Sequence, residues 1–178
     1  MSLTRYFRSA VLTVSVVLAA GATHVQAASP PAPEPSVIAF FEGRWIALAD
    51  GWGEAHACYS DIVSTRCYRT EAEMDAAESS ERLAAVSPQV ACGSTVKLYR
   101  LGSYGGDVLE LATRGVYIGL SPYGFDNDTS SYKIGACTSR FYDVSPATTQ
   151  YPGTTTAGTL SPGMSSGWDN RVSSVYIT

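Results

Sequence analysis

Gly124-Phe125-Asp126-Asn127-Asp128-Thr129-Ser130-Ser131 and Gly167-Trp168-Asp169-Asn170-Arg171-Val172-Ser173-Ser174 are two copies of one phrase, displaced by 43 residues. The same displacement carries Leu98-Tyr99 onto Phe141-Tyr142 and Ile134 onto Ile177, so what repeats is a supersecondary unit rather than one turn. Two copies of a unit this size predict one small domain.

Around the two phrases the chain is written in strands and turns. Residues 95–101 (TVKLYRL) alternate apolar and polar positions, 103–107 form a glycine-rich turn, and 107–111 (DVLEL) alternate again, which predicts a hairpin. Another short strand is expected in 130–136. The second unit repeats the scheme with 139–144, a Thr- and Gly-rich middle, and 173–178. Many short strands with Gly and Ser turns predict an antiparallel sandwich built from Greek keys.

Upstream of the repeats the character differs. Residues 40–59 mix aromatic and β-favouring residues with Gly and Asp-Gly turn signals, which suits a hairpin. Thr70 followed by Glu73 has the form of a capping box. The Ala- and Glu-rich stretch behind it, with Met74, Ala77, Leu83 and Val86 near helical spacing, predicts a helix over 71–86 that Pro88 ends. The fold class expected is therefore mainly β: a double Greek key over 92–178, and over 36–91 a small α+β extension of hairpin plus one helix.

The first residues have the form of an export signal. Arg5 and Arg8 supply the positive region, Val11 to Ala20 the apolar run, and Val25-Gln26-Ala27 a small-residue cleavage box, so 1–27 is expected to be removed. A run of that length is too short to span a bilayer. In 28–35, four prolines predict an extended spacer. Loss of the leader moves the formal charge from −4 to −6, which argues against nucleic-acid or anionic-membrane partners and suits attraction of cations.

Four cysteines in an exported chain predict two disulfides. Of the three connectivities, Cys58 with Cys67 and Cys92 with Cys137 is favoured, because the first closes a short loop and the second ties the start of one repeat to its end. No C-x-x-C pair exists to suggest zinc or redox chemistry. Asp126-Asn127-Asp128 and Asp169-Asn170, followed at fixed spacing by paired serines, offer hard oxygen donors without imidazole or thiolate, a set that suits calcium. A single such phrase is an ordinary polar turn; two at one place in a repeat favour a site.

Here the chain resembles the βγ-crystallin family. Asp126 to Ser131 and Asp169 to Ser174 both fit that family's motif of Asn or Asp twice, two variable residues, then Ser or Thr and Ser. Tyr99, Tyr104 and Gly106 fit its aromatic corner. The second copy departs, with Tyr142 followed only by Tyr151 and Gly153, so a longer or distorted first hairpin is expected there. The resemblance covers 92–178 and implies calcium shared between the two motifs. One site would take the Asn170 carbonyl, the Ser173 hydroxyl, a carbonyl near Asp143 and the Asp128 carboxylate. The other would take the Asn127 carbonyl, the Ser130 hydroxyl and a carbonyl near Arg100, but has Arg171 opposite, whose guanidinium offers no lone pair and repels a cation. One competent and one impaired site are expected, with the ion acting as a structural clip.

Enzyme signals are weak. Gly163-Met164-Ser165-Ser166-Gly167 matches G-x-S-x-G, yet no histidine follows it and its surroundings read as loop. His56 is the one histidine after the leader. Asp61, Glu71, Glu73, Asp75, Glu78 and Glu81 are expected on a solvated face of or near the helix. Asn127-Asp128-Thr129 also fits a glycosylation sequon, although a glycan there would crowd the proposed ion site. Small secreted bacterial proteins with this double Greek key resemble metalloprotease inhibitors and killer-toxin-like proteins, so an exported inhibitor or toxin is the alternative that the resemblance implies. An extracellular protease contacted by the Cys58 to Cys67 loop, through Tyr59, Asp61 and Arg66, is therefore an alternative partner. A cell-wall polysaccharide met by Tyr117, Tyr123, Phe125, Tyr132 and Trp168 is a third, although at least half of these aromatics are expected in the core.

Overall fold

The computed structural model describes residues 35–84, 95–144 and 148–178. The leader and nearly all of the Pro-rich spacer lie outside these residues, as do Cys92 and the boundary expected at 91/92.

Glu42 and Gly43, at φ 45° and 81°, make the two-residue left-handed loop that joins β1 (Ile38–Phe41) to β2 (Arg44–Ala47). β3 (Ala57–Ser60) and β4 (Thr65–Tyr68) form a second hairpin. The helix α1 runs over Glu71–Ala84. Its start follows the capping logic: the Thr70 hydroxyl accepts the Glu73 N–H at 3.1 Å, and the Glu73 carboxylate reaches back to the N–H of Arg69.

The first repeat then contributes β5 (Val96–Leu101), β6 (Gly105–Leu111), β7 (Tyr117–Gly119) and β8 (Ser131–Ile134). The second contributes β9 (Ser139–Tyr142), β10 (Leu160–Ser161) and β11 (Ser174–Ile177). Among the described residues these strands make an eight-stranded sheet, ordered β10-β8-β5-β6-β3-β4-β1-β2, and a three-stranded sheet, β7-β11-β9. The third strand of each repeat has crossed over: β7 pairs with β11 of the second unit, and β10 with β8 of the first. That exchange locks two Greek keys into one sandwich. Among the described residues the second unit has no full counterpart of β6. It keeps only a bridge between Tyr142 and Gln150, in line with the expected distortion of its first hairpin.

The extension is continuous with this sandwich. β3 runs parallel to β6, pairing Ala57 with Val108 through Ser60 with Leu111, so the strands before residue 91 enlarge the sheet that the first repeat begins. Period-2 alternation sorts their side chains. Cys58, Leu98, Leu109 and Leu111 enter the core between the sheets with Phe125, Phe141, Val172, Val175 and Ile177. Ala57, Tyr59, Tyr99 and Val108 point the other way, where Met74 of α1 seals them.

The helix carboxylates correct the expectation of a solvated face in part: Glu73 and Asp75 are exposed as expected, while Glu78 is buried and Glu71 half-buried. Glu71, Asp75 and Glu78 turn toward the sheet: Lys97 Nζ lies 2.8 Å from Glu71 and 2.5 Å from Asp75, Tyr99 donates to Glu71 at 2.6 Å, and Arg66 and Tyr68 both hold Glu78 at 3.1 Å. The sheet beneath carries cations, and a carboxylate packed there is stabilised only when paired. Burial pushes the Glu71 carboxyl up, but hydrogen bonds from Lys97 and Tyr99 outweigh it and hold the group below its ordinary range.

Cys58 and Cys67 are directly opposite on β3 and β4 and form the expected disulfide. Cys137 is also disulfide-bonded. Among the described residues no helix is long and apolar enough to cross a membrane.

Candidate functional site

The two phrases meet, and their contacts repeat with the same displacement of 43. Asn127 and Asn170 both take left-handed backbone, φ 56° and 54°, which an asparagine tolerates better than most residues. Each loop then donates into the other: Asn127 N–H to the Val172 carbonyl and Asn170 N–H to the Thr129 carbonyl, both at 3.0 Å. The Ser130 hydroxyl donates to Asn170 Oδ1 at 3.1 Å and the Ser173 hydroxyl to Asn127 Oδ1 at 3.2 Å. Ser130 N–H binds the Tyr99 carbonyl and Ser173 N–H the Tyr142 carbonyl, both at 2.8 Å.

The last serine of each phrase works inward. Ser131 is buried, donates to the Leu101 carbonyl at 2.6 Å and accepts the Tyr104 N–H at 3.0 Å, which fixes the aromatic corner where Tyr104 packs edge-on to Tyr99. Ser174 donates to the Val144 carbonyl, its counterpart 43 residues on. Phe125 and Trp168 are both core residues, so Phe125, Tyr132 and Trp168 belong to the interior and Tyr117 is the exposed member of that aromatic set.

The charged residues of the candidate set obey the repeat in an unexpected way. Arg100 pairs with Asp128 within the first unit, and Asp143 pairs with Arg171 at 3.0 Å within the second. Displacement by 43 maps Arg100 onto Asp143 and Asp128 onto Arg171, so both units carry the same clasp between first hairpin and motif loop with its charges exchanged. In each unit the guanidinium lies on the motif aromatic, Arg100 at 4.6 Å from the Phe125 ring centre and Arg171 at 5.0 Å from that of Trp168. The Asp143 carboxyl is held below its ordinary range; burial opposes the shift, and the Thr149 N–H and Arg171 prevail.

Arg100 is also where the extension takes hold. Its Nε lies 3.0 Å from Asp107, which His56 shares at 2.7 Å, and its Nη2 donates to the Gly124 carbonyl at 2.8 Å. Trp52 packs on Phe125 and on the Arg100 guanidinium while its indole N–H donates to the Tyr123 carbonyl at 2.8 Å. Gly124 must be glycine: at φ 63° a Cβ would stand 2.5 Å from the Leu48 carbonyl oxygen. Reasoning from sequence missed this buttress of Leu48, Trp52, His56 and Asp107, because nothing local ties the first three to a motif some 70 positions later.

Thus the seven candidate ligands are brought into one region, with Ser130, Asn170, Ser173 and Asn127 crossing between loops. Asp128 and Asp143 are each engaged by a guanidinium. Oxygen donors dominate the crossing, which fits a hard cation. The segment around Ser165 is loop, and the Ser165 hydroxyl binds the Tyr151 phenol at 3.1 Å. In the Cys58 to Cys67 hairpin, Tyr59 is buried, Asp61 accepts the Val63 and Ser64 N–H groups, and Arg66 pairs with Glu78.

The strand exchange and the crossed motif loops define a double Greek key sandwich extended at one sheet edge. No protein-family model and no curated protein matches the chain. Among solved structures it is similar to a βγ-crystallin from Ciona intestinalis, at 23% identity over 48% of this chain and 100% of that one, TM-score 0.39. It is likewise similar to a βγ-crystallin domain from Clostridium beijerinckii, at 21% identity over 47% of this chain and 97% of that one, TM-score 0.39. A third is the N-terminal domain of protein S, at 18% identity over 48% and 96%, TM-score 0.39. The resemblance to βγ-crystallin domains therefore covers about half of the chain.

Proposed function

We propose that the protein is an exported, non-catalytic calcium-binding module in which the ion clips the two motif loops together. The observation that supports this reading is the reciprocal crossing of Ser130 to Asn170 and Ser173 to Asn127, which brings hydroxyl and amide oxygens of the two repeats into contact. Calcium there would be held by the Asn170 carbonyl, a carbonyl near Asp143, the Ser173 hydroxyl and the Asp128 carboxylate. Bound calcium supplies charge that ties oxygen ligands from two loops, so its binding free energy becomes folding free energy.

The chain's own residues set the strength of the clip. Asp128 is already paired with Arg100, so ligation needs that carboxylate to exchange a guanidinium for the ion. Affinity is therefore expected in the range of extracellular modules, about 0.1 to 1 mM, where a leader-directed protein meets abundant calcium. At ten times the dissociation constant the gain in stability is about 1.4 kcal/mol. At the second site Arg171 brings a positive charge in place of a ligand.

Calcium titration of the chelator-treated protein by calorimetry, with melting curves in calcium and in chelator, tests the reading. One site is expected in the wild type, none in Asp128→Ala and two in Arg171→Asp. Absence of heat together with identical melting curves would refute it.

A further inference from the structure

Among the described residues, α1 covers only part of the outer face of the eight-stranded sheet. α1 lies over Lys97 and Tyr99 of β5 and over Arg66 and Tyr68 of β4. Beyond it, register places Phe40 of β1 and Trp45 of β2 beside Arg66 on the same face, and they stand 40% and 69% exposed, with Ile38 at 52%. Val63 closes the other side of the resulting groove, about 390 Å³ in volume, whose lining also includes Ser64, Thr65 and Arg66.

Next to the groove stands an apolar projection. Ile62 and Val63 are each 86% exposed at the tip of the β3–β4 hairpin, a position no branched aliphatic side chain gains from in water. The tip is built to hold its shape. Asp61 Oδ1 accepts the N–H groups of Val63 and Ser64 at 2.7 and 2.8 Å, and the Cys58–Cys67 disulfide ties the strands below.

We propose that this face joins two copies of the chain about a two-fold axis, each copy seating its Ile62 in the other's groove. A projection and a groove side by side on one surface are what a self-complementary contact requires, since each must meet the other across the axis. The area is sufficient. Ile38, Phe40, Trp45, Ile62 and Val63 together leave roughly 600 Å² exposed per copy, so pairing removes about 1,200 Å² from water, the lower end of stable specific interfaces. The charged rim does not oppose the contact, because Arg66 is paired with Glu78 at 3.1 Å and Glu42 with Arg69 at 2.6 Å inside each chain. The surface is far from Asp128 and Asn170 in the sheet order, at the opposite edge from β8 and β10, so pairing is independent of calcium.

The test is sedimentation velocity on the protein purified from a secreting host, from about micromolar to several hundred micromolar, with and without calcium, alongside tryptophan emission. A monomer–dimer equilibrium in the micromolar range is expected in both conditions, with emission shifting to the blue as concentration rises; Trp52 and Trp168 are buried already, so the shift reports Trp45. Ile62→Asp and Trp45→Ser should each weaken pairing at least about tenfold while leaving the melting curve of the dilute monomer unchanged, and Ile62→Leu should pair normally. A monomer at the highest concentration, or a dimer that both Ile62→Asp and Trp45→Ser leave intact, would overturn the proposal.

Discussion

Replacing Lys97 by methionine removes one charge and keeps most of the side chain's stem. Lys97 Nζ lies 2.8 Å from Glu71, 2.5 Å from Asp75 and 3.8 Å from Glu110, and its side chain is 15% exposed while that of Glu110 is 2% exposed. Stripping the cation from a fully buried pair costs about 3 to 5 kcal/mol, because the carboxylate left behind is desolvated and unpaired. Asp75 is half exposed and Lys133 stays 3.4 Å from Glu71, so the low end applies, about 3 kcal/mol at neutral pH. For a chain of this length that is a fall of about 6 to 12 °C in melting temperature.

The pH dependence separates this cause from lost packing. Glu71 is depressed in the folded state, so its contribution is present above the unfolded value of about 4.3 and is lost as pH falls through the lower folded value. For Lys97, burial favours the neutral form, but the hydrogen bonds to Asp75 and Glu71 win and raise it, so its contribution is present below about 10.4 and is lost as pH rises through the folded value. The wild type therefore has a plateau between these limits. In Lys97→Met the carboxylates protonate more readily, so the gap to wild type narrows below about pH 5. Urea unfolding at intervals from acid to neutral pH, followed by tryptophan emission, measures it. A gap under about 1 kcal/mol at neutral pH, or one that stays constant into acid, would refute the reasoning.

Two further substitutions probe the motif region. Thr129 is fully buried and its hydroxyl has no partner among the described residues, while Val172 occupies the equivalent place in the second repeat; Thr129→Val should stabilise by about 1 kcal/mol in thermal unfolding, and a loss would mean that the hydroxyl is satisfied in solution. Arg100→Gln keeps the backbone carbonyl and frees Asp128, so calcium affinity should rise about tenfold by titration while the calcium-free protein melts lower for want of the clasp on Phe125. Unchanged affinity in Arg100→Gln would show that Asp128 is not a ligand.

The repeat carried most of what could be read without a structure. A displacement of 43 residues already implied that Ser130 and Ser173, Asn127 and Asn170, and Ser131 and Ser174 hold equivalent places; the hydrogen bonds of the first two pairs match closely in length, and Ser131 and Ser174 bind equivalent carbonyls at 2.6 and 3.2 Å. Turn chemistry, the capped start of α1 and the period-2 strands were legible for the same reason: each depends on residues a few positions apart. The Cys58–Cys67 pairing was legible because the loop it closes is short. One local pattern was misjudged. Glu71, Asp75 and Glu78 share a helix stripe with Met74, and that spacing was a signal that the carboxylates accompany the buried residue inward.

Tertiary structure alone decided the rest. That β3 lies parallel to β6, so the first hairpins extend the repeat's own sheet, depends on which edge is free when the sandwich closes, and no stretch of sequence encodes an edge. The buttress of Trp52 and His56 behind Arg100 follows from that placement. The exchanged clasps are the clearest case. Sequence comparison of the two motifs shows Arg171 as the loss of a ligand, whereas the fold shows that Arg100 and Asp143 exchange charge as well, so each clasp between first hairpin and motif loop keeps one guanidinium and one carboxylate. An ion pair is satisfied by proximity and opposite sign and is indifferent to which strand supplies which sign, so the pairing stays hidden until the chain has brought both partners together.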